Sequence, residues 1–449
     1  MEKMHRKYGP IVRINPRELH IQDPHYYSTI YTGSTRKVNK DALSVGAFDV
    51  PTSTAATIDH NHHRARRSYL SSYFSKRSLS QLEPIIHERI GKLCGRLEEA
   101  MQQGEVISLD GAFSALTADI ITLRFYGQHS DYLSIKNFRF VVRDAFIGLS
   151  QVYHMGRLLP LIANLLKHLP IPIIRMIMPS VADLLNLREE IKHNAAGTLK
   201  AKNTIDFKSV IVGSLADHTI PAEERTFDRM VDEGIVIIFA GTETTSRALS
   251  VTFFYLLSNE SLLKRLRDEL DTLPSTQDNA YSLTQLEALP FLAAVIQEGL
   301  RLSFGPVSRM PRVSPHDALQ YKDYVIPPGT PVSQSAYFVH TDPSIYPDPH
   351  TFDPDRWIRA AQEGVVLDKY IANFTKGRRQ CLGINMSYTE LYLTIARIVR
   401  SFTLELHDTT KDDIDIYHAR IVGFPRQVKG QKEAHGEVQV KVTGKIVAK

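Results

Sequence analysis

A mainly α-helical fold with a small β region, in a single domain covering residues 1–449, is what the sequence predicts. Three observations predict it. Apolar residues recur at helical spacing through most of the stretch from about residue 60 to 305. Strand-like runs are few and short, lying at the opening and in the C-terminal third. No Gly/Ser linker, charge block or internal repeat divides the chain, so one body outweighs the usual prior of a domain per ~150 residues.

In chain order, IVRIN (11–15) and ELHI (18–21) read as strands around an Asn-Pro turn, the only clear β signal before the C-terminal third. SLSQLEPIIHERIGKLCGRLEEAM (78–101) is an amphipathic helix, with Cys94 as a small buried apolar residue. FSALTADIITLRFYG (113–127) repeats the helical pattern. A helix from about 228 to 258, DRMVDEGIVIIFAGTETTSRALSVTFFYLLS, is apolar nearly all round in its middle and should run through the interior. YVIPPGTPVSQSAYFV (324–339) and VQVKVT (438–443) supply the late strands.

A content of 43% hydrophobic and 23% charged residues excludes a disordered chain. The net charge of +5 suits an acidic partner or a membrane surface, but the basic residues are scattered and no nucleic-acid signature accompanies them. Two cysteines, Cys94 and Cys381, form no disulfide framework, and C-x-x-C spacing is absent, so a reducing compartment is expected. The opening MEKMHRKYGPIVRINP has no apolar run of the ~18 residues that cross a bilayer, so the chain is expected to be soluble or to lack its anchor. The most hydrophobic surface candidate is LLPLIANLLKHLPIPIIRMIMP (158–179), whose internal prolines and Lys167 prevent a spanning helix. It fits a membrane interface, a cover over a substrate channel, or ordinary helices around a Pro-rich turn.

The chemistry concentrates in NFTKGRRQCLG (373–383). A thiolate is stabilised by a helix N-terminus, by nearby cations or by a metal. Here Gly377 permits a tight turn, Arg379 brings charge, and CLGINMSYTELYLTIARIVRSF starts a helix whose first N–H groups point back at the sulfur. Gly383 would let a flat ligand lie close to that helix start. One cysteine without further Cys or His at metal spacing argues against zinc and iron–sulfur clusters, whereas a haem iron needs a single protein ligand on one side.

Phe374-x-x-Gly377-x-Arg379-x-Cys381-x-Gly383 resembles the haem-binding signature of the cytochrome P-450 superfamily, the haem-thiolate monooxygenases. Three companions in family order extend the resemblance over nearly the whole chain. Glu298-Gly-Leu-Arg301 sets a carboxylate and a guanidinium on one helix face, and Arg356 in FDPDRW would complete a structural Glu-Arg-Arg network. Ala240-Gly-Thr-Glu-Thr-Thr245 lies mid-helix, and the resemblance assigns Glu243 and Thr244 to a proton relay. His63 and Arg67 stand at the i, i+4 spacing of the family's W-x-x-x-R, with His in place of Trp, and with Arg312 and Arg379 they would hold the haem propionates.

The resemblance implies a P-450 fold with haem b between the long central helix and the cysteine-loop helix, Cys381 as axial thiolate, and activation of O2. No flavin or nicotinamide fingerprint occurs, so electrons are expected from NADPH-cytochrome P-450 reductase or cytochrome b5, with Lys376 and Arg378 as docking charges. KYGPIVRINPRELHIQDPHYYSTIY and DHNHHRARR resemble filamentous-fungal secondary-metabolism members of trichodiene-oxygenase-like type. This implies hydroxylation or epoxidation of an apolar small molecule, a terpenoid. Its pocket would be lined by the loop from Phe48 to Thr57, by Phe239, Ala240, Phe304 and Val307, and by residues 421–424. A monomer is expected, at the cytosolic face of the endoplasmic reticulum if an anchor is missing and otherwise cytoplasmic. Competing readings are a haem-thiolate isomerase or dehydratase that needs no O2, and a non-catalytic haem-binding sensor; the acid–Thr pair and the intact signature weigh against them. Ser387 stands where alanine is common in the family and is expected to matter little.

Overall fold

The computed structural model of the chain describes residues 1–33, 36–46, 48–138, 141–159, 161, 165, 169–201, 209–274, 276, 279–426 and 436–446. Helices dominate and small sheets sit among them, as the periodicities predict. The predicted interior helix is Phe227–Leu257, one residue offset from its expected bounds, with Thr226 capping its N-terminus by accepting from the Arg229 N–H. At ~1.5 Å per residue it is roughly 46 Å long. It packs against the helices Leu109–Tyr126, Pro179–Lys200, Pro290–Ser303 and Ile384–Ser401, which accounts for its apolar circumference. The closest of these neighbours fits because Gly241 has no side chain: a Cβ there would lie 3.0 Å from Ile121 of Leu109–Tyr126.

Strands Ile11–Arg13 and Leu19–Ile21 pair antiparallel, Val12 opposite His20, as their alternation predicts. They form one edge of a five-stranded sheet that continues through Pro331–Ser333, Arg312–Val313 and Asn39–Lys40. A second sheet joins Val106–Ser108, Gln439–Lys445 and Phe402–Leu406. Two early strands thus escaped the sequence reading, because two or three residues are too few to show a period. The AYFV part of 324–339 also differs from expectation. Ala336–His340 is a short helix, since tertiary packing of these five residues overrides their aromatic and β-branched preference.

Cys94 is buried on the helix Lys76–Gln103. In the hydrophobic segment 158–179, residues 160, 162–164 and 166–168 lie outside the described residues. The helix Ile171–Ile177 begins after Pro170, with Pro172 in its first turn, where a missing N–H costs nothing. Leu159, Leu161, Leu165, Met176 and Ile177 are exposed. Among the described residues no helix is long and apolar enough to cross a membrane.

Candidate active site

Cys381 sits just ahead of the helix Ile384–Ser401, whose N-cap is Gly383. The loop leading to it is fixed by backbone geometry. Gly377 adopts φ 74°, and a Cβ there would fall 1.9 Å from the Thr32 carbonyl oxygen, so glycine is required by both conformation and space. The Cys381 N–H donates to the Phe374 carbonyl at 2.8 Å, and the Phe374 ring packs 5.4 Å from that of Tyr388. An added Cβ at Gly383 would meet nothing within 4 Å, so the space beside the helix start is open.

Cys381 is solvent-accessible, yet burial is the main influence pushing its thiol up, with the Gly383 N–H and Arg67 opposing. Both statements hold for a sulfur that faces an interior cleft instead of bulk water. The long helix also carries accessible surface in its middle. Ala240 is exposed and Gly241 and Thr244 partly so, although Phe239, Thr242, Glu243 and Thr245 around them are buried. Thr245 donates its hydroxyl to Ser387 Oγ at 3.1 Å, joining the two helices about one turn beyond Gly241 and Gly383. On the N-terminal side of this contact Ala240 and Cys381 both lie on accessible surface. Ser387, expected to matter little, is therefore a buried hydroxyl partner at the point where they meet.

The Thr244 hydroxyl donates to the Ala240 carbonyl at 2.9 Å within its own helix. Glu243 is buried, and among the described residues its Oε2 has no hydrogen-bond partner. Burial raises its pKa to about 7; Arg143 and Arg247 pull it down, while Asp110 adds to the rise. Asp110 itself accepts from Arg143 Nη1 at 2.8 Å, from Arg247 Nη1 at 3.2 Å and from the Val438 N–H at 2.8 Å. Of these three charges Arg247 is one turn along Glu243's own helix, whereas Asp110 and Arg143 come from two other helices, so no local motif announces the group.

The predicted propionate residues converge. Arg379 donates to the carbonyls of Val38 (3.2 Å), Thr57 (2.7 Å) and Ile58 (2.6 Å), and burial with the nearby Arg312 lowers its pKa to about 9. Arg67 donates to the Gln380 carbonyl at 2.6 Å. Arg312 is buried with its guanidinium 5.1 Å from the Tyr31 ring. His63 is driven down to about 2 by burial and by Arg379, Lys40, Arg67 and Arg312, so its imidazole is neutral. Lys40 belongs to the same cluster and was missed by sequence reading. It lies directly opposite Arg312 in the antiparallel pairing of Asn39–Lys40 with Arg312–Val313, and burial, Arg312 and Arg379 hold its ammonium well below the usual lysine range. Among the described residues, none of Lys40, Arg67, Arg312 and Arg379 forms a salt bridge with a carboxylate. Glu233 and Asp59 lie near enough to favour the charged forms of Lys40 and Arg379, but neither is bridged to them, and four such side chains fit a ligand that brings two carboxylates of its own, as haem does.

Glu298 is fully buried and saturated. It receives Arg301 in a two-pronged contact (Nε to Oε2 2.9 Å, Nη2 to Oε1 2.7 Å), Arg356 Nε at 3.0 Å, the Trp357 indole N–H at 2.9 Å and the Asp353 N–H at 2.9 Å. The remaining guanidinium donors go to carbonyls of His340, Pro347, Pro349 and Thr351. This knot ties the helix Pro290–Ser303 to the segment 347–357.

Of the expected pocket residues, Phe48 packs on Tyr153 at 4.6 Å and, with Val50, Leu149, Val181 and Ile235, lines an apolar crevice. Phe239 contacts Phe146 at 5.9 Å. Val307 donates its N–H to the Ile421 carbonyl at 3.2 Å, which brings the 421–424 segment beside it. Phe304 ends its helix in a left-handed conformation, φ 61°, with its ring 5.1 Å from Tyr337 and 6.0 Å from His340. Of the two expected docking charges, Arg378 is exposed, whereas Lys376 is partly buried and donates to the Lys369 carbonyl.

Comparison with known proteins matches residues 1–429 to the family model of cytochrome P450. The chain is 59% identical over 447 residues to cytochrome P450 monooxygenase TRI4 of Trichoderma arundinaceum, covering 99% of this chain and 86% of that protein. It is 56% identical to cytochrome P450 monooxygenase TRI4 of Fusarium sporotrichioides, over 98% of this chain and 85% of that one. Cytochrome P450 monooxygenase astB of Aspergillus terreus is 49% identical, over 99% and 86%.

Proposed function

The chain belongs to the cytochrome P450 family and is a monooxygenase, and from that premise we propose that it hydroxylates or epoxidises a terpenoid secondary metabolite, with electrons from an NADPH-dependent flavoprotein reductase. The observation that carries this reading is the pairing of Cys381, at a helix start, with an accessible Ala240–Thr244 face on an otherwise buried helix. Cys381 would ligate the haem iron, and Arg67, Arg312, Arg379, His63 and Lys40 would hold its propionates. Haem, when bound, supplies oxidising chemistry on O2, which a thiolate ligand favours. The protein's residues supply the rest. Glu243, titrating near neutrality, can take up and release a proton at its unpartnered Oε2. The Thr244 hydroxyl, one position on, donates to Ala240 at rest and can turn toward the cleft. Phe48, Phe239, Ala240 and Val307 provide apolar walls that orient a greasy substrate and exclude water.

The acid–hydroxyl pair favours oxygenation over an isomerase, which needs no protons delivered to oxygen. The exposed side chains of Leu161, Leu165, Met176 and Ile177 support peripheral seating on a membrane surface such as the cytosolic face of the endoplasmic reticulum. The test combines the holoprotein, NADPH-cytochrome P-450 reductase and a panel of sesquiterpenes that includes trichodiene. NADPH-driven O2 uptake with an oxygenated product is expected; product formed without O2 would replace this reading with the isomerase.

A further inference from the structure

Asp232 and Glu233 are consecutive carboxylates on a helix whose surroundings are core, and both are buried. Each captures two donors of one threonine. Asp232 Oδ2 accepts the Thr52 N–H at 3.0 Å and the Thr52 hydroxyl at 2.6 Å. Glu233 Oε2 accepts the Thr54 N–H and hydroxyl, both at 2.8 Å. Cations stand behind both acids: Arg188 Nη2 is 3.5 Å from Asp232, and Arg229 Nη2 is 3.6 Å from Glu233. Arg229 is in turn held by Glu224, which also receives Arg66 at 2.8 Å and His62 at 2.5 Å.

The other end of the same loop is gripped from the cysteine side. Arg379 donates to the carbonyls of Thr57 and Ile58, Arg66 Nη1 reaches the Thr57 hydroxyl at 2.9 Å, and Lys40 donates to the Ala55 carbonyl. The segment 52–58 therefore bridges the long helix and the cysteine loop. Helix geometry places it on the relevant face. Seven residues are close to two full turns, so Asp232 shares a face with Phe239, and Glu233 with Ala240, at roughly 10 Å along the axis.

We propose that Asp232 and Glu233 are positioning residues that lock segment 52–58 as a fixed wall of the substrate site, and so set the shape that selects the substrate. This rests on the monooxygenase site described above. A carboxylate holding both donors of a threonine restrains backbone and side chain together, which a single hydrogen bond would not. Thr52 and Thr54 are the matching halves of the lock. A polar fastening leaves the apolar residues of the same stretch free to face a greasy ligand, and Phe48 and Val50 just ahead of it line the apolar crevice.

The test uses the holoprotein in three forms: native, T52V/T54V, and T52S/T54S, with E233Q as a fourth. Amide hydrogen exchange at 52–58 is read against exchange in 384–401 as an internal control. Binding of imidazole and of the bulkier 4-phenylimidazole is followed by the spectral shift of the haem. The valine pair is expected to exchange at least tenfold faster at 52–58 with the control unchanged, and to lose at least fivefold of its discrimination between the two imidazoles. The serine pair should behave as native, and E233Q should move in the valine direction. Unchanged exchange in the valine pair overturns the lock, and unchanged discrimination despite faster exchange overturns its role in selection. A native protein that oxidises no terpenoid, while the valine pair still changes both readouts, leaves the lock standing and sinks only the substrate reading.

Discussion

Lys40 and Arg312 face each other across antiparallel strands with, among the described residues, no carboxylate bonded to either. Like charges directly opposite destabilise a sheet, and the pairing suits a place where an anion is to be bound. The two states of the protein should respond oppositely to its removal. K40M is expected to raise the stability of the haem-free protein by up to ~1 kcal/mol in urea unfolding, because the repulsion is gone. The same variant should release haem to apomyoglobin several-fold faster than native. Equal or slower haem loss would remove Lys40 from the propionate cluster.

Glu243 carries a pH dependence whose sign follows from burial. Its folded pKa is raised from 4.5 to about 7, so between these values the folded protein holds a proton that the unfolded chain has released. Stability from this group is thus full below about 4.5, falls as pH rises through about 7, and is level above, a change of roughly 3 kcal/mol. Denaturant unfolding of native protein minus E243Q at pH 5 and pH 8 isolates it from other groups. A native-minus-E243Q difference that is no more positive at pH 5 than at pH 8 would contradict the raised pKa.

Among the described residues the Thr244 hydroxyl bonds only within its own helix, so T244A should fold and unfold like native, within ~0.5 kcal/mol. Its effect should appear in coupling. NADPH consumption is expected to persist while product falls severalfold and hydrogen peroxide rises to match. Stoichiometric measurement of NADPH, product and peroxide decides it, and a tightly coupled T244A would take Thr244 out of proton delivery.

The helical fold and the cysteine loop were legible because they leave local marks. A 3.6-residue period survives over the 31 residues of Phe227–Leu257, and Gly377 signals a turn that a side chain would block. The same held for Glu298, Arg301 and Arg356, which the resemblance grouped and the fold brings within hydrogen-bonding distance. What stayed hidden was assembled from afar. Lys40 joins its cluster through a two-residue strand, Asp110 meets Arg143 and Arg247 from different helices, and Thr54 finds Glu233 across 179 positions. None of these has a period or a motif, and each is created by packing alone. Ser387 is a further partner that no pattern in its own segment points to: its hydroxyl accepts from a threonine on another helix.

Glu298 offers the most severe test of how the site is held. Four groups, Arg301, Arg356, the Trp357 indole N–H and the Asp353 N–H, converge on one carboxylate with no exposure to water. Removing the acid strands two guanidinium charges in the interior, a loss of ~3–5 kcal/mol when a buried pair is broken from one side. R356K is milder in charge but not in geometry, because an ammonium cannot reach Glu298 and the Pro347 carbonyl as the fork does at 3.0 and 2.8 Å. E298A is therefore expected to yield little or no soluble haem-bound protein, and R356K to fold with a midpoint lowered by several degrees and faster haem loss. The knot reaches the start of the cysteine loop through Arg301 and His340, whose Nε2 accepts the Ala372 N–H at 2.8 Å while its carbonyl accepts from Arg301. That link predicts a graded outcome: R356K should loosen the haem before it unfolds the helices. Thermal melts followed at the haem band and by far-ultraviolet circular dichroism would separate the two, and coincident midpoints in R356K would show that the knot braces the whole fold and not the haem loop in particular.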